Sequence, residues 1–193
     1  GETGDGVLNI FAENEGLCSD LHMTIAGGNI NIVSGDDGIN TSEDSVSVCT
    51  VNGGSVNIVV NGAKGEGDGI DSNGWLVING GRVTSAAYGG SMDSGIDSDL
   101  GIHINGGTVA ASGNMLDAIA GSAQNYAVFT FAQRQKGGTA YQLKDESGAV
   151  VGEWTPANDF TSLIVSAENI VPGTYTFWQD DMQLAGAQGE MRG

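Results

Sequence analysis

Five segments of this chain hold an acidic or amide side chain at a fixed distance from an apolar residue. They are Glu15-Gly16-Leu17-Cys18, Asp37-Gly38-Ile39-Asn40, Asp68-Gly69-Ile70-Asp71, Ser94-Gly95-Ile96-Asp97 and Asp117-Ala118-Ile119-Ala120. Aligned on the Leu or Ile, two columns emerge. Glu15, Asp37, Asp68, Ser94 and Asp117 stand two residues before it, and Cys18, Asn40, Asp71, Asp97 and Ala120 one residue after. If the segments stack, Asp37 lies over Asp68 and Asp71 over Asp97. Two carboxylates about 5 Å apart repel by a few kcal/mol at an effective dielectric near 20. Like charges facing each other across strands destabilise a sheet unless something neutralises them. A bound cation does this economically. Oxygen-only ligands suit a hard ion, and Ca²⁺ accepts irregular cages of six to eight oxygens more readily than Mg²⁺. The candidate ligands are Glu15, Asp37, Asn40, Asp68, Asp71, Asp97 and Asp117, with the glycine after Glu15, Asp37 and Asp68 letting carbonyls approach. The competing reading is that Asp-Gly and Asp-Ser simply make turns and cap backbone amides. No segment has the spacing of an EF-hand loop or of the nonapeptide calcium solenoid.

Stacking requires a repeat, and a second one alternates with the first. Met23-Thr24-Ile25-Ala26-Gly27-Gly28 recurs as Cys49 to Gly54, Leu76 to Gly81 and Ile102 to Gly107. The pairs beginning at Gly27, Gly53, Gly80 and Gly106 are spaced by 26, 27 and 26 residues, a period that signals a solenoid. Apolar residues alternate along each segment, as in strands with one face inward. The reading is all-β: a right-handed parallel β-helix of about five coils, three short strands per coil, with Gly-Gly corners needing positive φ. Insertions at Glu43 to Val48, Asn61 to Glu66 and Ala86 to Asp93 fall at corners and should project from the body. From Tyr126 onward, strands separated by Gly137-Gly138, Glu146-Ser147-Gly148 and Pro172-Gly173 read as antiparallel. The expected organisation is a solenoid over 1–122, an antiparallel β capping segment over 123–186 that covers open strand edges, and a tail at 187–193.

Composition narrows the classes. With 24 acidic and 6 basic residues the net charge is −18, which disfavours nucleic acid and anionic membranes. The 33 glycines suggest disorder, but 39% hydrophobic residues in strict alternation argue for a packed core. No run reaches the length of a membrane span, and no signal peptide is seen. The opening Gly1-Glu2-Thr3-Gly4 reads as a cloning remnant, with any leader or anchor outside the sequence. Cys49 should face inward in a stack Met23–Cys49–Leu76–Ile102 while Cys18 points out, so the two remain free thiols. His22 and His103 read as surface histidines. Arg82 falls in a polar ladder with Asn29, Ser55 and Thr108, and no nucleophile has a paired base, so an enzyme is not expected. Trp75, at a corner, and Tyr88 are candidate sugar-stacking residues. Trp154 and Trp178 read as core.

The x-Asp-Gly-Ile-Asp-Ser unit, alternating with apolar-x-Ile-x-Gly-Gly-x-Val, resembles a bacterial family of carbohydrate-binding right-handed β-helix proteins related in shape to pectate lyases. The similarity continues through Leu143-Lys144-Asp145-Glu146-Ser147-Gly148 and Tyr175-Thr176-Phe177. It implies a secreted or cell-surface protein that holds calcium against the helix and binds cellulose-like or acidic plant glycans without cleaving them. Asp68 and Asp71 match the family's acidic unit best, whereas Asn40, Ser94 and Ala120 depart from it. The expectation is a monomeric carbohydrate-binding module with polysaccharide as partner. Two alternatives stay open: a bacterial surface adhesin binding a host or bacterial protein through the corner insertions, and a pectate-lyase-like lyase.

Overall fold

The computed structural model describes residues 4–184 and 188–192. Its first coil comprises β1 (Val7–Phe11), β2 (Leu17–Ser19) and β3 (His22–Ile25). The second holds β4 (Asn29–Ser34), β5 (Ile39–Thr41) and β6 (Val48–Val51). The third holds β7 (Ser55–Val60), β8 (Ile70–Ser72) and β9 (Trp75–Ile78). In the fourth, β10 (Arg82–Ala86) is followed by a single bridge at Ile96 and then β11 (Gly101–Ile104). These stack as three parallel sheets: a long sheet through β1, β4, β7 and β10, a short one through β2, β5 and β8, and one through β3, β6, β9 and β11. The result is a parallel β-solenoid of about four turns.

Strict register turns the alternation of each strand into columns through the core. Ile30, Val56, Val83 and Val109 form one, and Met23, Cys49, Leu76 and Ile102 another. Leu17, Ile39, Ile70 and Ile96 line the short sheet. Cys49 is buried and Cys18 exposed, both as free thiols. The second glycine of every pair has positive φ, at 86°, 81°, 80° and 83° for Gly28, Gly54, Gly81 and Gly107. The corner needs this conformation, which is costly for residues with a Cβ.

The fifth coil does not close. β12 (Thr108–Gly113) adds a last parallel strand to the long sheet, but Ile119 then bridges Ile102 instead of stacking over Ile96. The chain proceeds through β13 (Tyr126–Gln135), β14 (Tyr141–Lys144), β15 (Val150–Trp154), β16 (Phe160–Ser166), β17 (Thr176–Gln179), β18 (Met182–Gln183) and β19 (Gln188–Arg192). β16 pairs antiparallel with β12, β13 with β16, and β19 with β13, so the edge left by the solenoid is continued and inverted. The segment expected as a tail therefore carries a paired strand. β16 serves two cores through its alternation: Ile164 packs on the solenoid, while Leu163 and Val165 face a second core. That core is aromatic, with Tyr141 and Phe160 ring centroids 5.3 Å apart and Phe129 and Phe177 4.9 Å apart. A separate sheet, β15-β14-β17-β18, closes over it.

Candidate functional site

The first four acidic units lie along the short sheet, and each begins where the chain passes so close to the opposite long sheet that only glycine fits. A Cβ on Gly38 would stand 2.2 Å from Ile58 Cγ2, and one on Gly69 would stand 1.7 Å from Ser85 Oγ. Packing against the core therefore requires these glycines. Their neighbours Asp37 and Asp68 are drawn against the body of the protein and lose solvent. Downstream, Ser72 Oγ donates to the Trp75 carbonyl at 3.1 Å, and Ser98 Oγ to the Gly74 carbonyl at 2.7 Å. These serines, recurring at the coil period, hold the corner that follows each unit.

The first column is a ladder of caps from coil to coil. Asp37 Oδ1 accepts the Asp68 N–H at 2.8 Å, and Asp68 Oδ1 accepts the Ser94 N–H. The amide-capping reading is therefore partly realised, but toward the next coil instead of the acid's own turn. The second column follows the expected register, with Asn40 beside Asp71 and the Ile70–Ile96 bridge bringing Asp97 next. Asn40 Nδ2 donates to Asp37 Oδ2 at 3.2 Å and to Glu15 Oε1 at 3.4 Å, leaving its Oδ1 buried with no partner. Asp117 reaches the cluster by another route. Ile119 lies on the neighbouring sheet, removing Asp117 and Ala120 from the two columns, yet Asp117 Oδ2 accepts the Ser98 N–H at 2.9 Å.

Burial pushes the Asp68 carboxyl up to about 8 against the opposing help of the Ser94 N–H, with Asp97, Asp37 and Asp93 repelling it further. Asp71 is pushed to about 7 by burial and then by Asp37, Asp97, Asp99 and Asp117. Asp37 and Asp97 are each pushed to about 6, again chiefly by burial. No positive charge offsets them: among the described residues the one ion pair is Lys136–Asp159, at 2.7 Å, far along the chain in the antiparallel unit.

The fit of this cluster to a hard cation is partial. Its donors are carboxylate and amide oxygens, and the orphaned Asn40 Oδ1 is a buried acceptor without a donor. Among the described residues, however, no three His, Cys, Asp or Glu side chains converge as a ready metal centre. An ion here would take its carboxylates from adjacent coils and complete its shell with Asn40, backbone carbonyls and water.

Trp75 is 37% exposed at the corner between the short sheet and its neighbour. Its register partner in the next coil is Gly101, whose missing side chain lets the indole reach His103, with ring centroids 5.3 Å apart. Leu21, Val46 and Leu100 are exposed at the same corner. Tyr88 differs from expectation. A Cβ on Gly62 would lie 2.2 Å from its ring and one on Gly90 2.6 Å, so the ring is packed between glycines instead of standing free. Insertion 86–93 is correspondingly tied down, whereas 61–66 is exposed apart from half-buried Gly62. Asp93 Oδ2 accepts the Gly67 N–H at 2.7 Å, and Asn158 Nδ2 donates to the Val60 and Ala87 carbonyls. Trp154 is in the second core, while Lys144 Nζ stands 4.1 Å from the Trp178 ring centroid. Arg82 keeps its place between Ser55 and Thr108 on the long sheet, a different sheet from the acids.

Sequence reasoning passed over two asparagine ladders, although their residues recur at the coil period. Asn31 Nδ2 donates to Asn9 Oδ1 and Asn57 Nδ2 to Asn31 Oδ1, both at 2.9 Å. Asn79 Nδ2 to Asn52 Oδ1 and Asn105 Nδ2 to Asn79 Oδ1 repeat the distance on the other side.

The structure is a solenoid with polar ladders on its outer faces. Residues 3–139 match the family of carbohydrate-binding domain-containing proteins, and the chain belongs to that family. Neither the curated proteins nor the solved structures gave a match. The expected kinship with carbohydrate binders thus holds at the level of the family, and the match ends after the first strand of the antiparallel unit.

Proposed function

We propose that this protein is a noncatalytic carbohydrate-binding module, secreted or displayed at the cell surface. It binds plant-type or acidic polysaccharide and carries Ca²⁺ on the carboxylate columns of its short sheet. Family membership supports the glycan partner. The observation that carries the calcium reading is the group of four half-buried aspartates, all held above the ordinary carboxylate range with no cationic side chain among them, next to the unpartnered Asn40 Oδ1. A divalent ion favours the charged forms and supplies the missing partner. Asp71 and Asp97 are the principal ligands in this reading, with Asp37, Asn40, Asp68, Glu15 and Asp117 around them. The Trp75–His103 surface offers an aromatic face for a sugar ring.

Pull-down on insoluble cellulose and on polygalacturonate, with calcium and with chelator, tests the whole reading. Retention on at least one glycan, reduced by Trp75→Ala, is expected. Absence of retention on both would remove the glycan assignment. Calorimetric titration of the metal-free protein with Ca²⁺ tests the ion separately, and silence there would return the acids to amide capping alone. The exposed apolar corner of Leu21, Val46, Trp75 and Leu100 favours protein adhesion as a second reading. Its mark is saturable binding to a protein partner that soluble sugar does not compete.

A further inference from the structure

A second polar surface lies on the outer face of the long sheet, away from the acids. The ladder Asn9–Asn31–Asn57 runs up this face, and Thr84 then Ala110 continue its column. Arg82 stands beside it in the neighbouring column. Where the ladder ends, β15 and the residues after it overhang the sheet and form a cleft of about 430 Å³. Asn57, Arg82 and Thr84 form one wall, and Glu153, Trp154 and Thr155 the other. Leu163, fully buried in the second core, closes the far end. The volume lies within the roughly 300–1,000 Å³ usual for small-ligand sites.

Two features of this cleft are unusual for the chain. Arg82 is exposed, its guanidinium makes no ion pair or hydrogen bond among the described residues, and it belongs to a protein with four times as many acids as bases. Glu153, across the cleft, makes no ion pair with it, and its Oε2 accepts from Gln142 Nε2 at 2.5 Å on the adjoining strand. Asn57 Nδ2 donates to Asn31 Oδ1 and to Ser55 Oγ at 3.3 Å, whereas Asn31 Nδ2 donates only to Asn9 Oδ1, which leaves its other N–H for an incoming oxygen. The ladder repeats at the coil rise of about 4.8 Å, so alternate rungs are about 9.6 Å apart.

Resting on the carbohydrate-binding reading, we propose that this cleft binds the terminal residue of an acidic polysaccharide. The Arg82 guanidinium takes the uronic-acid carboxylate in a two-pronged hydrogen bond. Asn57 and Thr84 take ring hydroxyls, and the following sugars run out over Asn31 and Asn9. The closed end at Leu163 makes this a chain-end site. The Arg82 guanidinium brings a positive charge to this cleft, on a different sheet from the repelling columns.

Calorimetric titration of the whole protein with oligogalacturonate and with a neutral cello-oligosaccharide, in chelator and in calcium, tests the proposal. Wild type should bind oligogalacturonate in chelator, with affinity falling as salt rises. Arg82→Gln should weaken this by tenfold or more and flatten the salt dependence, Arg82→Lys should restore part of it, and Thr84→Tyr should block it by filling the cleft. Melting curves establish that these outward-facing variants fold. Binding of oligogalacturonate unchanged by Arg82→Gln and Thr84→Tyr would overturn the cleft while leaving the carbohydrate reading in place. Loss through Asp71→Asn with Asp97→Asn instead, only in calcium, would place the acidic glycan on the ion columns and overturn it likewise. Equal losses for both oligosaccharides would overturn the assignment to a carboxylate. Binding of no glycan by wild type would sink the family-level reading and this site together.

Discussion

The asparagine ladders and the aspartate columns are the same geometry filled with different chemistry. Both place one side chain per coil directly over its counterpart. An amide carries donor and acceptor together, so each Asn satisfies the next at 2.9 Å, and the stack needs no outside charge. A carboxylate has only acceptors. Asp37 and Asp68 turn one oxygen to the backbone of the neighbouring coil, and Asp71 and Asp97 receive no hydrogen bond among the described residues. Stacking that is self-sufficient in one chemistry demands protons or a cation in the other.

The largest effect should come from the glycine that forces the acids against the core. Gly69→Ala puts a Cβ 1.7 Å from Ser85 Oγ and 2.2 Å from the Gly95 carbonyl oxygen. A loss of about 3 kcal/mol on denaturant unfolding is expected, as for overpacked cores. Gly6→Ala, with open space around it, should cost far less. Equal tolerance of both would mean that the close approach is not needed.

Calcium comes next. At a concentration one hundred times its Kd, an ion bound only to the folded state adds about 2.7 kcal/mol. For a chain of this size that is a rise in Tm of roughly 5–10 °C. Asp71→Asn combined with Asp97→Asn should remove most of the rise. Identical melting in calcium and in chelator would leave the columns without a guest.

Acidity provides the complementary measurement in chelator. Carboxyls raised in the folded state bind more protons there than in the unfolded chain, so their contribution favours folding at low pH. It is present in full below about 4 and fades as pH passes about 6 for Asp37 and Asp97, about 7 for Asp71 and about 8 for Asp68. Tm should fall from pH 5 to pH 8, and calcium should flatten the slope. Asp68→Asn keeps an oxygen for the Ser94 N–H without the charge, and should raise Tm at pH 8. A Tm that climbs over this interval would contradict the burial of these groups.

The smallest effect belongs to the neutral ladder. Asn79→Ala removes hydrogen bonds to Asn52 and Asn105 at an exposed position and should cost about 1 kcal/mol. Asn79→Asp, which puts the other chemistry into this stack, should make Tm depend on pH where the parent ladder contributes nothing.

Much of this architecture was legible before any coordinates. Met23, Cys49, Leu76 and Ile102 stack as their spacing implied, and the second glycine of each pair takes the positive φ that the corner requires. The register of Asn40 beside Asp71 followed from alignment on Ile39 and Ile70. Arg82 was read as one rung of an ordinary polar ladder because its significance comes from β15, contributed some seventy residues later in the chain. Nothing in the sequence around Tyr88, a candidate sugar-stacking residue, announces that Gly62 lies against its ring. Asp117 was placed in a column by its local motif, but Ile119 found a free edge on Ile102 instead.

Period and alternation depend on local properties: side-chain polarity at every second residue, and glycine where φ is positive. A one-dimensional repeat copies those properties from coil to coil, so short-range pattern settles the solenoid and its stacks. Where the repeat stops, nothing local dictates what the last coil meets. The inversion from β12 to β16, the shared strand between two cores and the overhang above Arg82 arise from burial between segments distant in sequence. Such burial rewards any packing that excludes water, and leaves no periodic trace in the chain.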